Sequence, residues 1–207
     1  MSSAPLDDSP RAPGCDAVSP AEMRRRQILD AAGTCFARRG FHAASMAEIA
    51  RTFGMSAGHI YNYFASKEAI IEALVERDLE VALDFIEGLR SAAEIQQALV
   101  AGVAEGVETS VAHSPLDLEI LAEAARNPSV AATVRSMDQA VRVRLKDVLV
   151  TIHPAVAQAD EREVEAKIEL LLAIFDGLMV RAVRNPGFDR EEMVRVVQGI
   201  VARIFEE

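Results

Sequence analysis

Apolar residues recur along most of this chain at spacings of three and four, the period of a helix with one buried face. From Ala21 to Arg39 the face is Ile28, Ala31, Ala32, Cys35 and Phe36, and Gly40 ends the run. Ser45 and Glu48 have the spacing of a capping box and open a helix through Phe53, with Ile49 and Phe53 pointing inward. Gly54 can take the left-handed conformation that closes it, and Ser56 can cap a second short helix whose Ile60 and Phe64 point inward. Two short helices across a tight glycine turn predict a helix-turn-helix. Ser66 caps a fourth helix running from Lys67 towards Glu87, with Ile70, Ile71, Leu74, Val81 and Phe85 on its apolar side.

Beyond it, Ser91 and Glu94 form a further capping box for a helix to about Ala112, on which Gly102 and Gly106 share the apolar face of Val103 and Val107. That pairing predicts close helix packing. Ser114-Pro115 is expected to start a separate short helix ending at Asn127-Pro128, and the next helix runs to about Ile152. Asp160 and Glu163 cap a helix with a broad stripe from Val164 to Ala182; Asn185-Pro186-Gly187 breaks it. Asp189 and Glu192 cap the last helix, with Phe188 and Met193 as a hydrophobic staple. The two final stripes are too wide for one neighbour each. Part of them, among Ile168, Leu171, Leu172, Phe175, Val197, Ile200 and Ile204, is expected to be buried against a second subunit. No strand pattern occurs, so the fold class is all-α with about nine helices. Residues 1–20, with Pro5, Pro10, Pro13, Gly14 and Pro20 and no periodicity, are expected to be a disordered tail.

The outward side of the second short helix has an unusual composition. Ala57, Gly58, His59, Tyr61, Asn62 and Tyr63 are small or hydrogen-bonding and carry little net charge. A merely solvated helix would favour Glu and Lys. A helix entering a DNA major groove needs close approach and side chains that reach phosphates and base edges. The net charge of −10 is at first sight wrong for that role. It is unevenly spread: residues 21–67 hold seven basic against three acidic side chains, and residues 68–207 hold 14 against 26. Positive charge therefore coincides with the motif, as phosphate binding requires.

Other chemistry is missing from the pattern. His42, His59, His113 and His153 are far apart and none has a metal-ligand partner at helical spacing. There is no glycine-rich phosphate loop or nucleophile elbow, so no catalytic residue, metal or cofactor is expected. Glu119 and Glu123 share a helix face that is expected to be solvated, and His113 and Asp176 are read as capping or core hydrogen-bonding groups. Cys15 and Cys35 make no disulfide framework. No apolar run is long enough to span a bilayer and no signal-peptide pattern opens the chain, so a cytoplasmic protein without membrane contact is expected.

Gly40-Phe41, Ser45, Ile49-Ala50, Gly54-Met55-Ser56, Gly58, Ile60-Tyr61, Tyr63-Phe64 and Ser66-Lys67-Glu68 together resemble the N-terminal signature of the TetR (tetracycline-repressor-like) transcriptional regulators. The resemblance runs from Arg24 to about Val75, with Phe53 a departure where the family more often has a small residue. It implies a DNA-binding domain over residues 21–67 and an effector-binding and dimerisation domain over 68–207, whose last two helices pair across a two-fold axis. It also implies a homodimer that represses from a palindromic double-stranded DNA operator and leaves it when a small-molecule effector binds. By residue, it implies that Ser45 caps helix 2 and touches phosphate and that Lys67 binds phosphate. Ser56, Ala57, Gly58, His59, Tyr61, Asn62 and Tyr63 then form the recognition segment, with the tyrosine hydroxyls on the backbone and His59 and Asn62 on the bases. The alternative is a helical ligand-binding protein or enzyme that keeps the motif only as scaffold.

Overall fold

In the computed structural model, which describes residues 19–91, 95–152 and 160–206, eight helices follow one another without a strand among the described residues. They are α1 (Pro20–Arg39), α2 (Met46–Phe53), α3 (Ala57–Ile60), α4 (Lys67–Ser91), α5 (Ile95–Ala124), α6 (Pro128–Ile152), α7 (Glu161–Arg184) and α8 (Arg190–Glu206). Their ends are set by local chemistry. The side chains of Ser19, Ser45, Ser66, Asp160 and Asp189 each accept a backbone N–H from the first turn they precede. Gly54, at φ 79°, takes the left-handed turn that closes α2. The expected tail lies outside the described residues except for Ser19 and Pro20, which cap and open α1. The expected Ser91–Glu94 box involves residues 92–94, also outside them, and Ser91 itself closes α4.

The helix expected to begin at Ser114-Pro115 does not exist as a separate element. Pro115 lies inside the 30-residue α5. A proline there cannot donate to the carbonyl four residues back, which is that of Val111. The Ser114 hydroxyl donates to that same carbonyl oxygen at 3.0 Å, so the gap is filled and the helix runs on. This is why the described residues form eight helices and not nine.

Two apolar cores organise the molecule. The first gathers Ile28 and Phe36 of α1, Ile49 of α2, Ile60, Phe64 and Leu74, and it also takes in Leu116 and Ile120 of α5 and Val130 of α6. The second is built from Ile86 of α4, Val103 and Val107 of α5, Leu149 of α6, Ile168 and Leu171 of α7, and Val197 and Val201 of α8. Each such fully buried aliphatic side chain contributes roughly 1.5–3 kcal/mol of transfer free energy. α4 feeds both cores, and α5 enters both. On α5, Gly102 and Gly106 form notches for the rings of Phe85 and Phe175; a methyl group at Gly106 would lie 2.6 Å from Phe175 Cε1. The larger Phe53 ring packs partly buried against the first core.

The broad stripes of α7 and α8 divide in a way that corrects the expected partner-facing set. Ile168, Leu171 and Val197 are buried inside this chain's own second core, and Leu172 and Phe175 pack against it. Ile200 faces outward, 41% exposed, and the side chain of Ile204 is outside the described residues. The helical period explains the split: one face of each helix packs on α5, and residues turned away from that face stay exposed. Those are Leu170 and Val183 on α7, and Val196 with Ile200 on α8.

Candidate nucleic-acid interface

The helix-turn-helix is held from beneath by Met46, Ile49 and Ala50 of α2 and by Ile60 and Phe64, all buried in the first core. With these turned inward, Ser56, Ala57, Gly58, His59, Tyr61 and Asn62 face outward, Tyr61 being 54% exposed. Nothing lies within 4 Å of where a Cβ on Gly58 would be, so the segment presents an open backbone surface at that point. Ser56 occupies the cap position of α3 without a capping hydrogen bond, which leaves its hydroxyl uncommitted. Ser45 is different: its Oγ accepts the Glu48 N–H at 3.2 Å and keeps only its own proton to give.

The recognition segment is less regular than the sequence pattern implies. α3 is a single turn, Ala57–Ile60, and Tyr61, Asn62 and Tyr63 follow it on tighter bonds. Asn62 N–H donates to the His59 carbonyl at 3.2 Å and Tyr63 N–H to that of Ile60 at 3.0 Å, three residues back. The chain must bring Phe64 into the core and reach the Ser66 cap two residues later, which favours the tighter winding. Tyr63 is consequently half-buried against the first core, with its ring 6.2 Å from that of His59.

Lys67 is spent inside the molecule. Its Nζ donates to the carbonyl oxygens of Phe41 at 2.7 Å, His42 at 3.3 Å and Ala44 at 2.8 Å, and it sits 4.6 Å from the centre of the Phe41 ring. An ammonium group has three protons to give, and these acceptors account for them. The expected direct hydrogen bond from Lys67 to phosphate is therefore replaced by a tie between α4 and the α1–α2 corner. Several arginines of the basic segment are also engaged: Arg39 pairs with Glu48 at 2.8 Å, Arg25 lies 4.3 Å over the Phe64 ring and Arg24 lies 5.3 Å over that of Phe53. Arg38 and Arg51 are exposed and have no ion-pair partner among the described residues. They are the cations the sequence did not distinguish from their neighbours.

In the C-terminal half, Asp78 of α4 and Asp176 of α7 both raise the cost of ionising Asp117 of α5. Burial, then the charge of Asp78, pushes the Asp117 carboxyl up to about 6, against the opposing pull of His113. Burial likewise raises Asp78 and Asp176 above the usual carboxylate range. Among the described residues no group of three or more His, Cys, Asp or Glu is placed to hold a metal ion, and no helix is long and apolar enough to cross a membrane.

Comparison with known proteins agrees with this geometry. Residues 28–74 match the family model for bacterial regulatory proteins of the tetR family, and residues 92–206 match the C-terminal model of BetI-type transcriptional repressors. The chain is similar to the regulator UidR of Escherichia coli K12, 37% identical over 120 residues, or 56% of this chain and 59% of that one. It thus spans a little over half the length of the curated relatives it matches first. Among solved structures, Salmonella enterica GusR superposes with a TM-score of 0.71 at 28% identity, covering 90% of this chain and 98% of GusR. Bacillus subtilis FadR, solved in complex with stearoyl-CoA, superposes at 0.72 with 18% identity over 86% and 97%, a likeness of fold alone. Matched over both its helix-turn-helix and its C-terminal half, the chain belongs to the TetR family of bacterial transcriptional regulators.

Proposed function

We propose that this regulator is a repressor that binds a palindromic DNA operator as a homodimer and leaves it when a small-molecule effector occupies the C-terminal half. One observation carries the reading: a helix-turn-helix whose apolar residues are sunk in a core while Ser56, Gly58, His59, Tyr61 and Asn62 stand exposed on the opposite side. His59 and Asn62 supply donors and acceptors for base edges, and Ser45, Ser56 and Tyr61 supply hydroxyls for phosphates. Arg38 and Arg51 take the place of Lys67 as the candidate phosphate-facing charges. Repression is supported by the match of residues 92–206 to a repressor-type C-terminal domain.

The dimer reading is supported by a strip of exposed apolar residues on α7 and α8, Leu170 among them, and by a shallow groove between the two helices lined by Ile174, Gly177, Met193, Val196 and Ile200. The same strip on a second copy satisfies a two-fold interface. Such a dimer presents two recognition segments to successive major grooves, about 34–36 Å apart. α4, rooted in both cores, is the element through which the C-terminal half sets that spacing.

The test is binding to fluorescent duplexes from the region upstream of the protein's own gene and to a scrambled duplex of the same length. Asn62→Ala and His59→Ala should each cost about 1–3 kcal/mol on the preferred duplex and much less on the scrambled one. Equal losses on both would overturn the base-reading assignment. Wild-type protein that binds neither would overturn the function.

A further inference from the structure

We propose that Glu119 and Glu123 of α5 are positioning residues for DNA binding: they grip the corner between α1 and α2 and set how the helix-turn-helix sits on the C-terminal half. The inference rests on the DNA-binding reading above. These two carboxylates share a helix face that, by its sequence, should be solvated, and the fold makes it a joint. Glu119 Oε2 accepts the backbone N–H of Phe41 at 3.0 Å, across 78 residues of chain. The same oxygen lies 3.3 Å from where a Cβ on Gly40 would be, and Gly40 has φ 79°. A glycine there both turns the chain and lets the carboxylate approach.

One helical turn further on, the Glu123 side chain is only 5% exposed. Its Oε1 accepts from Asn127 Nδ2 at 3.3 Å, and its Oε2 lies 3.1 Å from His42 Nε2 and 3.5 Å from Arg126 Nη2. Oε2 gains a hydrogen bond from the corner when the imidazole carries a proton on Nε2; otherwise it is a buried oxygen without one. A carboxylate buried with incomplete partners is a poor stabiliser, and an apolar side chain of similar volume would pack there at lower cost. What the two carboxylates supply is direction: Glu119 meets the Phe41 N–H, and Glu123 Oε2 meets the His42 ring, only with the corner placed where it now stands.

The corner is clamped from two sides. Lys67, at the start of α4, holds the carbonyls of Phe41, His42 and Ala44, while α5 holds the Phe41 N–H and the His42 ring. Glu68 of α4 is a further charged group facing His42. Ser45, whose side chain caps α2, follows the corner directly. A displacement of the last turns of α5 is therefore passed to the first turn of α2 by hydrogen bonds, on a route separate from α4.

The experiment uses the full chain and the two duplexes above, with folding checked by circular dichroism at the assay temperature. Glu119→Ala should weaken operator binding by about fivefold or more and leave scrambled-duplex binding nearly unchanged. Glu119→Gln should restore it, because the amide oxygen still accepts the Phe41 N–H. His42→Ala removes a side chain that is 69% exposed, so it leaves both cores intact, and it should weaken operator binding in the same selective way. Amide exchange at Phe41 should quicken in Glu119→Ala and not in Glu119→Gln. A folded Glu119→Ala that binds operator like wild type overturns the proposal, as does Gln behaving like Ala or equal losses on both duplexes. Should Glu119→Ala not fold, wild-type operator binding by His42→Ala overturns it. Wild-type protein that binds neither duplex overturns the DNA reading itself, and this proposal with it.

Discussion

Lys67 shows how one side chain changes role when its surroundings are known. With three backbone carbonyls as acceptors, Lys67→Ala leaves the partly buried oxygens of Phe41 and Ala44, and the exposed one of His42, without their donor. The expected result is a loss of roughly 1–3 kcal/mol in unfolding free energy, measured by urea titration. Operator affinity should fall with little change in the salt slope. A drop of about one unit in that slope with unchanged stability would return Lys67 to the phosphate. Asp117 gives a second residue-scale test. Its carboxyl is raised to about 6 in the folded protein from an ordinary 3.8, so the folded state holds the proton more tightly. The penalty of ionising it is present above pH 6 and is relieved as pH falls towards 4. Asp117→Asn should therefore raise Tm relative to wild type at pH 7.5, and that advantage should shrink by pH 4.5. A difference in Tm that does not vary with pH would refute the assignment.

Among the elements, α5 carries the most structure that its sequence conceals. Its glycine notches accept aromatic rings from α4 and α7, and its proline is absorbed by the Ser114 hydroxyl. Gly106→Ala should be destabilising although alanine is the better helix former, because the methyl group meets the Phe175 ring before any propensity gain of about 1 kcal/mol is felt. Overpacking of this kind costs typically about 1–3 kcal/mol. Pairing it with Phe175→Leu should recover part of the loss. Gly106→Ala alone raising Tm would show that the ring moves aside freely.

For the whole molecule, the helix-turn-helix is rooted in the first core, while the exposed strip proposed for dimerisation lies on α7 and α8, whose buried faces enter the second. Ile200 is exposed in the single chain, so Ile200→Glu should leave the protomer's fold and Tm nearly unchanged at low concentration. In sedimentation it should shift the protein to monomer and weaken operator binding by far more than it affects binding to one half-site. Leu171→Glu, by contrast, charges a residue buried in the second core and should unfold the chain. A monomeric wild type at micromolar concentration would contradict the dimer.

Sequence alone determined what depends on near neighbours. The Ser45, Ser66, Asp160 and Asp189 caps, the Gly54 turn, the inward Ile60 and Phe64 and the basic segment around the motif are all legible there. A cap or a helix face involves residues three or four apart, whose geometry the backbone already dictates. Tertiary structure alone decided which polar groups meet across the chain and which apolar faces are already used. Lys67 finds its carbonyls 23 to 26 residues away, and Glu119 finds the Phe41 amide 78 residues away. The stripe of α7 divides between α5 and the exterior for the same reason. Periodicity reports that a face is apolar, while the partner it meets is settled only when packing has placed every other helix.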